Sequence, residues 1–173
     1  RETYHRDDIP CGSVACHACD ASVYEAESAG GCVPMRRPLL DTQGAANSTG
    51  GQPHYIVIDT NVVLHQMDVL ENPVFTNVVV LQTVVNEVRN RSLPLFNRLR
   101  ALMNDPDRKF WQFFNDFHSG SSVVRDAHEA PNDRNDRAIR AGAAWYAEHL
   151  AQAHSGLSVV LVSDDAVSYT HLR

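Results

Sequence analysis

Three short apolar runs punctuate the chain beyond residue 54, each leading into polar positions. They are Tyr55-Ile56-Val57-Ile58, Val78-Val79-Val80-Leu81 and Ser158-Val159-Val160-Leu161-Val162. Continuous apolar runs of this length, without period-two alternation, read as strands covered on both faces, as in a parallel sheet. Thr60 or Asn61 can cap a helix that includes Val62, Val63 and Leu70, and Thr83 can cap one carrying Val84, Val85, Glu87 and Val88. Ser92-Leu93-Pro94 restarts a helix through Leu95, Leu99 and Leu102, with proline tolerated in the first turn. Phe110, Trp111, Phe113, Phe114 and Phe117 predict an aromatic helix or turn, and Val123-Val124 a short strand. A long helix is expected from near Asp133 to about Ala153, since Ile139, Ala143, Tyr146 and Leu150 keep helical period.

Strand and helix therefore alternate. The expected fold class is α/β, with a central parallel sheet and helices on both faces. Ligands of such sheets bind beyond the carboxyl ends of the strands. Asp59 directly follows the first run and Asp164 the last, Glu87 lies in the first turns of the helix after the second run, and Asp136 is expected in the first turn of the long helix. All four fall at one edge of the sheet. A single Asp after a strand is often only a cap, and an early helical Glu often only complements the helix dipole. Four together repel one another unless a cation joins them. All-oxygen ligands suit Mg2+ or Mn2+, and such ions are what water-driven phosphodiester cleavage needs.

The segments on either side of these runs divide the chain. Residues 1–27 form a cysteine-rich leader, and residues 28–54, with Gly30, Gly31, Gly44, Gly50 and Gly51, a flexible linker. The compact domain spans 55–165, and 166–173 form an atypical tail. Cys11, Cys16 and Cys19 stand as Cys-x4-Cys-x2-Cys, with Cys32 further on. Clustered thiols without a recognisable secretory signal favour structural zinc over disulfides. A fourth ligand is needed, and His17, Cys32 and His149 are the candidates.

Charge changes the picture little. The net charge is −6 over 173 residues, which is not the basic balance of a protein that holds nucleic acid by charge alone. It is compatible with acids neutralised by bound cations. Arg89, Arg91 and Arg137 flank the acids and are candidates for RNA phosphates; Asp133 is a plausible accessory acid. The aromatic group Phe110 to Phe117 suits core packing better than base stacking. No run of apolar residues is long enough to span a membrane.

Ile-Val-Ile-Asp59-Thr-Asn-Val-Val-Leu, Asn86-Glu87-Val88-Arg89-Asn90-Arg91, Asn132-Asp133-Arg134-Asn135-Asp136-Arg137-Ala138-Ile139-Arg140 and Leu-Val-Ser-Asp164 resemble the four acidic motifs of PIN nuclease domains. More narrowly, with His5 to Cys11, Leu64 to Leu70 and Trp145 to Leu150, the chain resembles the N-terminal PIN domain of the catalytic ribonuclease subunit of the eukaryotic RNA exosome. That resemblance implies a PIN-like fold and a Mn2+- or Mg2+-dependent endoribonuclease for single-stranded RNA, in RNA processing and decay, with Asp59, Glu87, Asp136 and Asp164 as metal-binding acids. It also implies His149 as the fourth zinc ligand beside Cys11, Cys16 and Cys19. The implied partners are the exosome ring subunits, and the implied locations the nucleus, nucleolus included, and the cytoplasm. A non-catalytic tether to the exosome core is the alternative. A free-standing toxin-like ribonuclease is a third reading, against which the cysteine leader argues. From Asp165 to Arg173 the sequence departs from the family pattern, which predicts a truncated end and an open sheet edge.

Overall fold

The computed structural model of the chain describes residues 4–19, 39–41, 53–153 and 155–164, and the backbone of 171–172. Cys32, most of the expected linker and residues 165–170 lie outside the described residues. The elements are β1 (His54–Ile58), α1 (Thr60–His65), α2 (Met67–Leu70), β2 (Val78–Leu81), α3 (Gln82–Arg91), α4 (Leu93–Asn104), β3 (Phe110–Phe113), α5 (Pro131–Gln152), β4 (Ser158–Val162) and β5 (His171–Leu172). They build one sheet in the order β3-β2-β1-β4-β5. β1 to β4 are parallel, with Val57 paired to both Val79 and Leu161, and Leu81 to Phe113. β5 pairs antiparallel with β4, so His171–Leu172 lies along part of the edge expected to be open.

Paired residues of parallel strands share a face, and alternate residues point oppositely. One face therefore carries Tyr55, Val57, Leu81, Trp111, Phe113 and Leu161, and it is covered by α5 and the leader. Phe113 meets the Tyr146 ring edge-on at 5.0 Å. A Cβ added to Gly142 would lie 2.8 Å from the Leu81 side chain, so glycine lets α5 sit down on β2. Gly12 has φ +77° and lies against the Trp111 ring, 2.1 Å from where a Cβ would be; only glycine satisfies both demands. The opposite face, which includes Phe110, is covered by α2 and α4. The Arg108 guanidinium stacks 5.7 Å over Phe110 and donates to the carbonyls of Leu70, Glu71 and Asn72. The result is the expected three layers, with β1 and β2 buried almost throughout.

Several expectations shift. Phe110–Phe113 is a strand paired with β2, not a helix. Val123 and Val124 form no strand; their carbonyls accept from Arg134 and Arg137. Helix α5 starts at Pro131, its fixed φ serving the first position, so Asp136 falls in the second turn rather than the first. Asp59 itself caps α1, accepting from the Thr60 amide at 2.5 Å. Thr83 does not cap α3. Its amide and hydroxyl are held by the buried Asn115, at 3.2 and 2.9 Å. Leu39–Asp41, inside the stretch read as linker, is packed in place. Leu40 is fully buried, and the Tyr55 hydroxyl donates to the Asp41 carbonyl at 2.7 Å. Burial pushes the Tyr55 phenol up to about 12, keeping it a donor.

Candidate metal and RNA site

Asp59 and Asp164 leave the carboxyl ends of neighbouring strands, β1 and β4. The Asp59 amide continues the ladder by donating to the Val162 carbonyl at 3.0 Å. The residues beside the acids join them to one another. Ser163 Oγ, immediately before Asp164, donates to Asp59 Oδ2 at 2.9 Å. Thr60 Oγ1, immediately after Asp59, donates to Glu87 Oε2 at 2.9 Å. Thr60 is 3% exposed, so this link is made away from water. Asp164 Oδ2 in turn lies 3.1 Å from His65 Nδ1, at the end of α1. Two of the four expected acids, Asp59 and Glu87, are thus each held by a hydroxyl from a residue flanking another acid, while the Asp164 carboxylate meets His65.

Glu87 sits half-buried on α3, with Val84, Val85 and Val88 of the same helix turned into the core. Its other oxygen, Oε1, pairs with Arg91 Nη2 at 2.6 Å, one helical turn on. The same guanidinium reaches Asn132 Oδ1, at 3.4 Å, in the first turn of α5. The opening of α5 is thereby drawn against Glu87. Asp136 lies one turn further along α5 and is exposed, as is Asp133. Oxygen donors are the ligand type that Mg2+ and Mn2+ take; among the described residues, however, the group of three or more ligand atoms lying close enough for one ion is the cysteine cluster described below, not these carboxylates.

The arginines divide. Arg91 lies at the acids. Arg89 stands 5.9 Å over the Phe96 ring. Arg137 forks onto Glu129, at 2.9 and 2.7 Å, and onto the Val124 carbonyl. That guanidinium holds the Glu129 carboxyl down at about 2. Sequence reasoning does not single out Thr60 and Ser163 as candidate site residues, although each is the immediate chain neighbour of an expected acid. That adjacency is the signal that could have found them.

A second cluster lies along α5 from the acids. Cys11, Cys16, Cys19 and His149 bring their ligand atoms within 4.8 Å of one another. Cys16 Sγ is 3.1 Å and Cys19 Sγ 3.4 Å from His149 Nε2. The donors of a zinc tetrahedron with bonds of about 2.0–2.3 Å stand roughly 3.5–4 Å apart, so three thiolates and one imidazole at these spacings fit Zn2+. His17 is exposed and outside the cluster. Contact with Cys16 and Cys19 raises His149 to about 9, while Cys11 and Cys19 as hydrogen-bond donors lower the Cys16 thiol. Trp145 stacks on His149 at 4.6 Å and fixes its ring, and Tyr146 Oη donates to the Cys11 carbonyl. Asp136 and His149 are 13 positions apart on α5, so about 20 Å of helix separates them.

The family model for the PIN domain matches residues 56–170. The chain is 46% identical to the exosome complex exonuclease RRP44 of Mus musculus, over 167 residues, and 46% identical to that of Homo sapiens, over 169. It is 40% identical over 166 residues to the exosome complex exonuclease dis3 of Schizosaccharomyces pombe. Each alignment covers 95% of this chain and 16% of the relative, so the chain spans about one-sixth of these proteins' length. Among solved structures, the PIN domain of T. brucei RRP44 superposes with a TM-score of 0.75 at 30% identity, covering 93% of this chain and 81% of that one. The acids beyond parallel strands, the α-helical layers and these likenesses agree: the chain belongs to the PIN domain family.

Proposed function

We propose that this chain is a divalent-metal-dependent endoribonuclease domain that cuts single-stranded RNA in RNA processing and decay. The observation that carries the reading is the pair of hydroxyl cross-links, Ser163 to Asp59 and Thr60 to Glu87. They hold carboxylates from β1 and α3 at the mouth of the sheet, beside Asp164. Like charges gathered this way repel one another unless a cation joins them. Asp59, Glu87, Asp136 and Asp164 would hold Mn2+ or Mg2+. Such an ion, when bound, supplies a water of lowered pKa and positive charge for the phosphoryl and leaving oxygens. The protein's own part is orientation. Thr60 fixes one oxygen of Glu87, Ser163 fixes one of Asp59, and Arg91 balances Glu87.

The test is a circular single-stranded RNA incubated with the chain and Mn2+. A circle has no ends, so any product is internal cleavage. Cleavage by wild type and its loss in Asp136→Asn are expected; equal behaviour of the two refutes the catalytic reading. The Cys3His cluster favours a second, compatible reading, in which zinc pins the leader and the domain docks a ribonuclease on the exosome ring in nucleus, nucleolus and cytoplasm. It rests on the relatives' description as exosome complex exonucleases. Co-purification with ring subunits, lost on zinc removal, tests it.

A further inference from the structure

Next to Glu87 an open cleft of about 310 Å³ lies between α3 and the first turns of α5. Its lining includes Asn86, Glu87, Arg91, Asn132, Arg134 and Asn135. Its polar groups are unusually one-sided. Arg91 Nη2 donates to Asn132 Oδ1 at 3.4 Å, and Arg134 Nη1 to Asn135 Oδ1 at 3.5 Å. Guanidinium groups only donate, so both amides are fixed with carbonyls toward arginine and NH2 groups free to turn elsewhere. The Gln112–Gln82–Asn86 relay uses the Asn86 carbonyl in the same way, at 2.6 and 2.7 Å. Below them Arg134 is locked to Asp116 at 2.6 Å, and Asp116 accepts from Thr83 Oγ1 at 3.2 Å. The floor is rigid and its charges cancel. At the rim, Arg91 cancels Glu87.

The cleft therefore turns its amide carbonyls toward its own arginines and glutamine and leaves amide NH2 groups and Arg91 as the donors facing it. That arrangement suits an acceptor-only group such as a phosphate oxygen. We infer that this cleft is a subsite for a backbone phosphate flanking the scissile one, bound through Arg91 and the amide NH2 groups of Asn86, Asn132 and Asn135 without regard to base. The inference rests on the RNA reading above. It gives Arg91 two partners, Glu87 and the RNA backbone, and makes register along the strand, rather than sequence, the thing this face measures.

The experiment is a methylphosphonate scan. A short single-stranded RNA, with one phosphate at a time replaced by its uncharged analogue, is bound to the Asp136→Asn chain in Mn2+, which prevents turnover. One position is expected to weaken binding about tenfold, the cost of roughly one charge-assisted hydrogen bond. Changing the base there is expected to alter affinity less than about twofold. Adding Arg91→Gln or Asn132→Leu should erase the sensitivity at that position alone, with Mn2+ affinity of the wild-type background followed by paramagnetic resonance as a control. Both residues are exposed, so the fold is expected to survive. If wild type cuts the RNA circle but no position is sensitive, or the sensitivity persists in both variants, the subsite is refuted and the nuclease reading stands. If the circle is not cut but the sensitivity is present and erased, the subsite stands and the nuclease reading falls. Dependence on the base instead of the phosphate, or no RNA binding, also overturns the subsite.

Discussion

Replacing Thr60 with valine keeps the branched side chain and deletes one hydroxyl. That hydroxyl is the donor to Glu87 Oε2 at 2.9 Å, and Thr60 is 3% exposed. The Glu87 side chain is 10% exposed, so little water is at hand to replace the lost donor. A hydrogen bond to a charged group is worth about 1.5–3 kcal/mol. Arg91 stays on the other oxygen, which keeps the folding cost toward the low end of that range, about 1.5 kcal/mol. Metal binding has no such substitute, because Glu87 must then be aimed at the ion. Removing a residue that orients a metal ligand costs roughly 10- to 100-fold in affinity. Mn2+ titration followed by paramagnetic resonance should show that loss in Thr60→Val, with cleavage of circular RNA falling in step at sub-saturating metal. Thr60→Ser restores the donor and should recover most of both. Melting of each variant separates metal loss from misfolding. Wild-type Mn2+ affinity in Thr60→Val, or no recovery in Thr60→Ser, refutes the claim that this hydroxyl positions Glu87.

Three further outcomes are expected. Metal analysis of the purified chain should find about one equivalent of zinc, lost in Cys16→Ser together with thermal stability; a zinc-free wild type sinks the structural-zinc assignment. Tyr55→Phe removes the hydrogen bonds that the Tyr55 hydroxyl makes with Ser13 Oγ, 2.6 Å away, and with the Asp41 carbonyl, so denaturant unfolding should show a loss of about 1–3 kcal/mol; no loss means that Leu39–Asp41 is not anchored there. Glu129 titrates at about 2 because Arg137 grips it. A depressed acid stabilises the fold above its ordinary value near 4.5 and loses that contribution as pH falls toward 2; Glu129→Gln should therefore flatten the stability profile across that window, and an unchanged profile refutes the clasp.

Some of this architecture is plain in the sequence and some is hidden, for physical reasons. β1, β2 and β4 were legible because strands covered on both faces show no polar alternation. β3 was not. Phe110, Phe113, Phe114 and Phe117 stand at the i, i+3, i+4, i+7 spacing of a helical stripe, and a four-residue strand is too short to contradict it. The start of α3 is hidden for a different reason. The partner that satisfies the Thr83 amide is Asn115, beyond β3, and no local pattern reveals a cap supplied from elsewhere in the chain. Leu39–Leu40 is an apolar pair in a polar, glycine-rich stretch, and the groups that hold Leu40 in place lie elsewhere in the chain: the Tyr55 hydroxyl, the Gly12 carbonyl and the Val14 amide. His149 is 130 residues from Cys19. Spacing left it one of three candidates; the family resemblance chose it, and the fold brings its Nε2 to the thiols.

The acids themselves carry the same lesson further. Each expected carboxylate is visible as a residue type at the end of an element, but an isolated Asp or Glu there is equally well a cap, and Asp59 does cap α1. What distinguishes a site from a set of caps is the second oxygen of each carboxylate. Asp59 uses Oδ1 for the helix it caps and Oδ2 for Ser163, just past the neighbouring strand β4; Glu87 uses Oε1 for its own helix and Oε2 for Thr60 on another element. In each case one oxygen serves local structure and the other ties the acid to a neighbouring motif. A hydroxyl residue directly beside an acid, in two motifs that meet at the same sheet edge, is therefore the pattern to read. It also ranks the residues by expected damage: loss of Thr60 or Ser163 should loosen two motifs at once, whereas loss of Arg89, which lies over Phe96, should leave the metal site untouched.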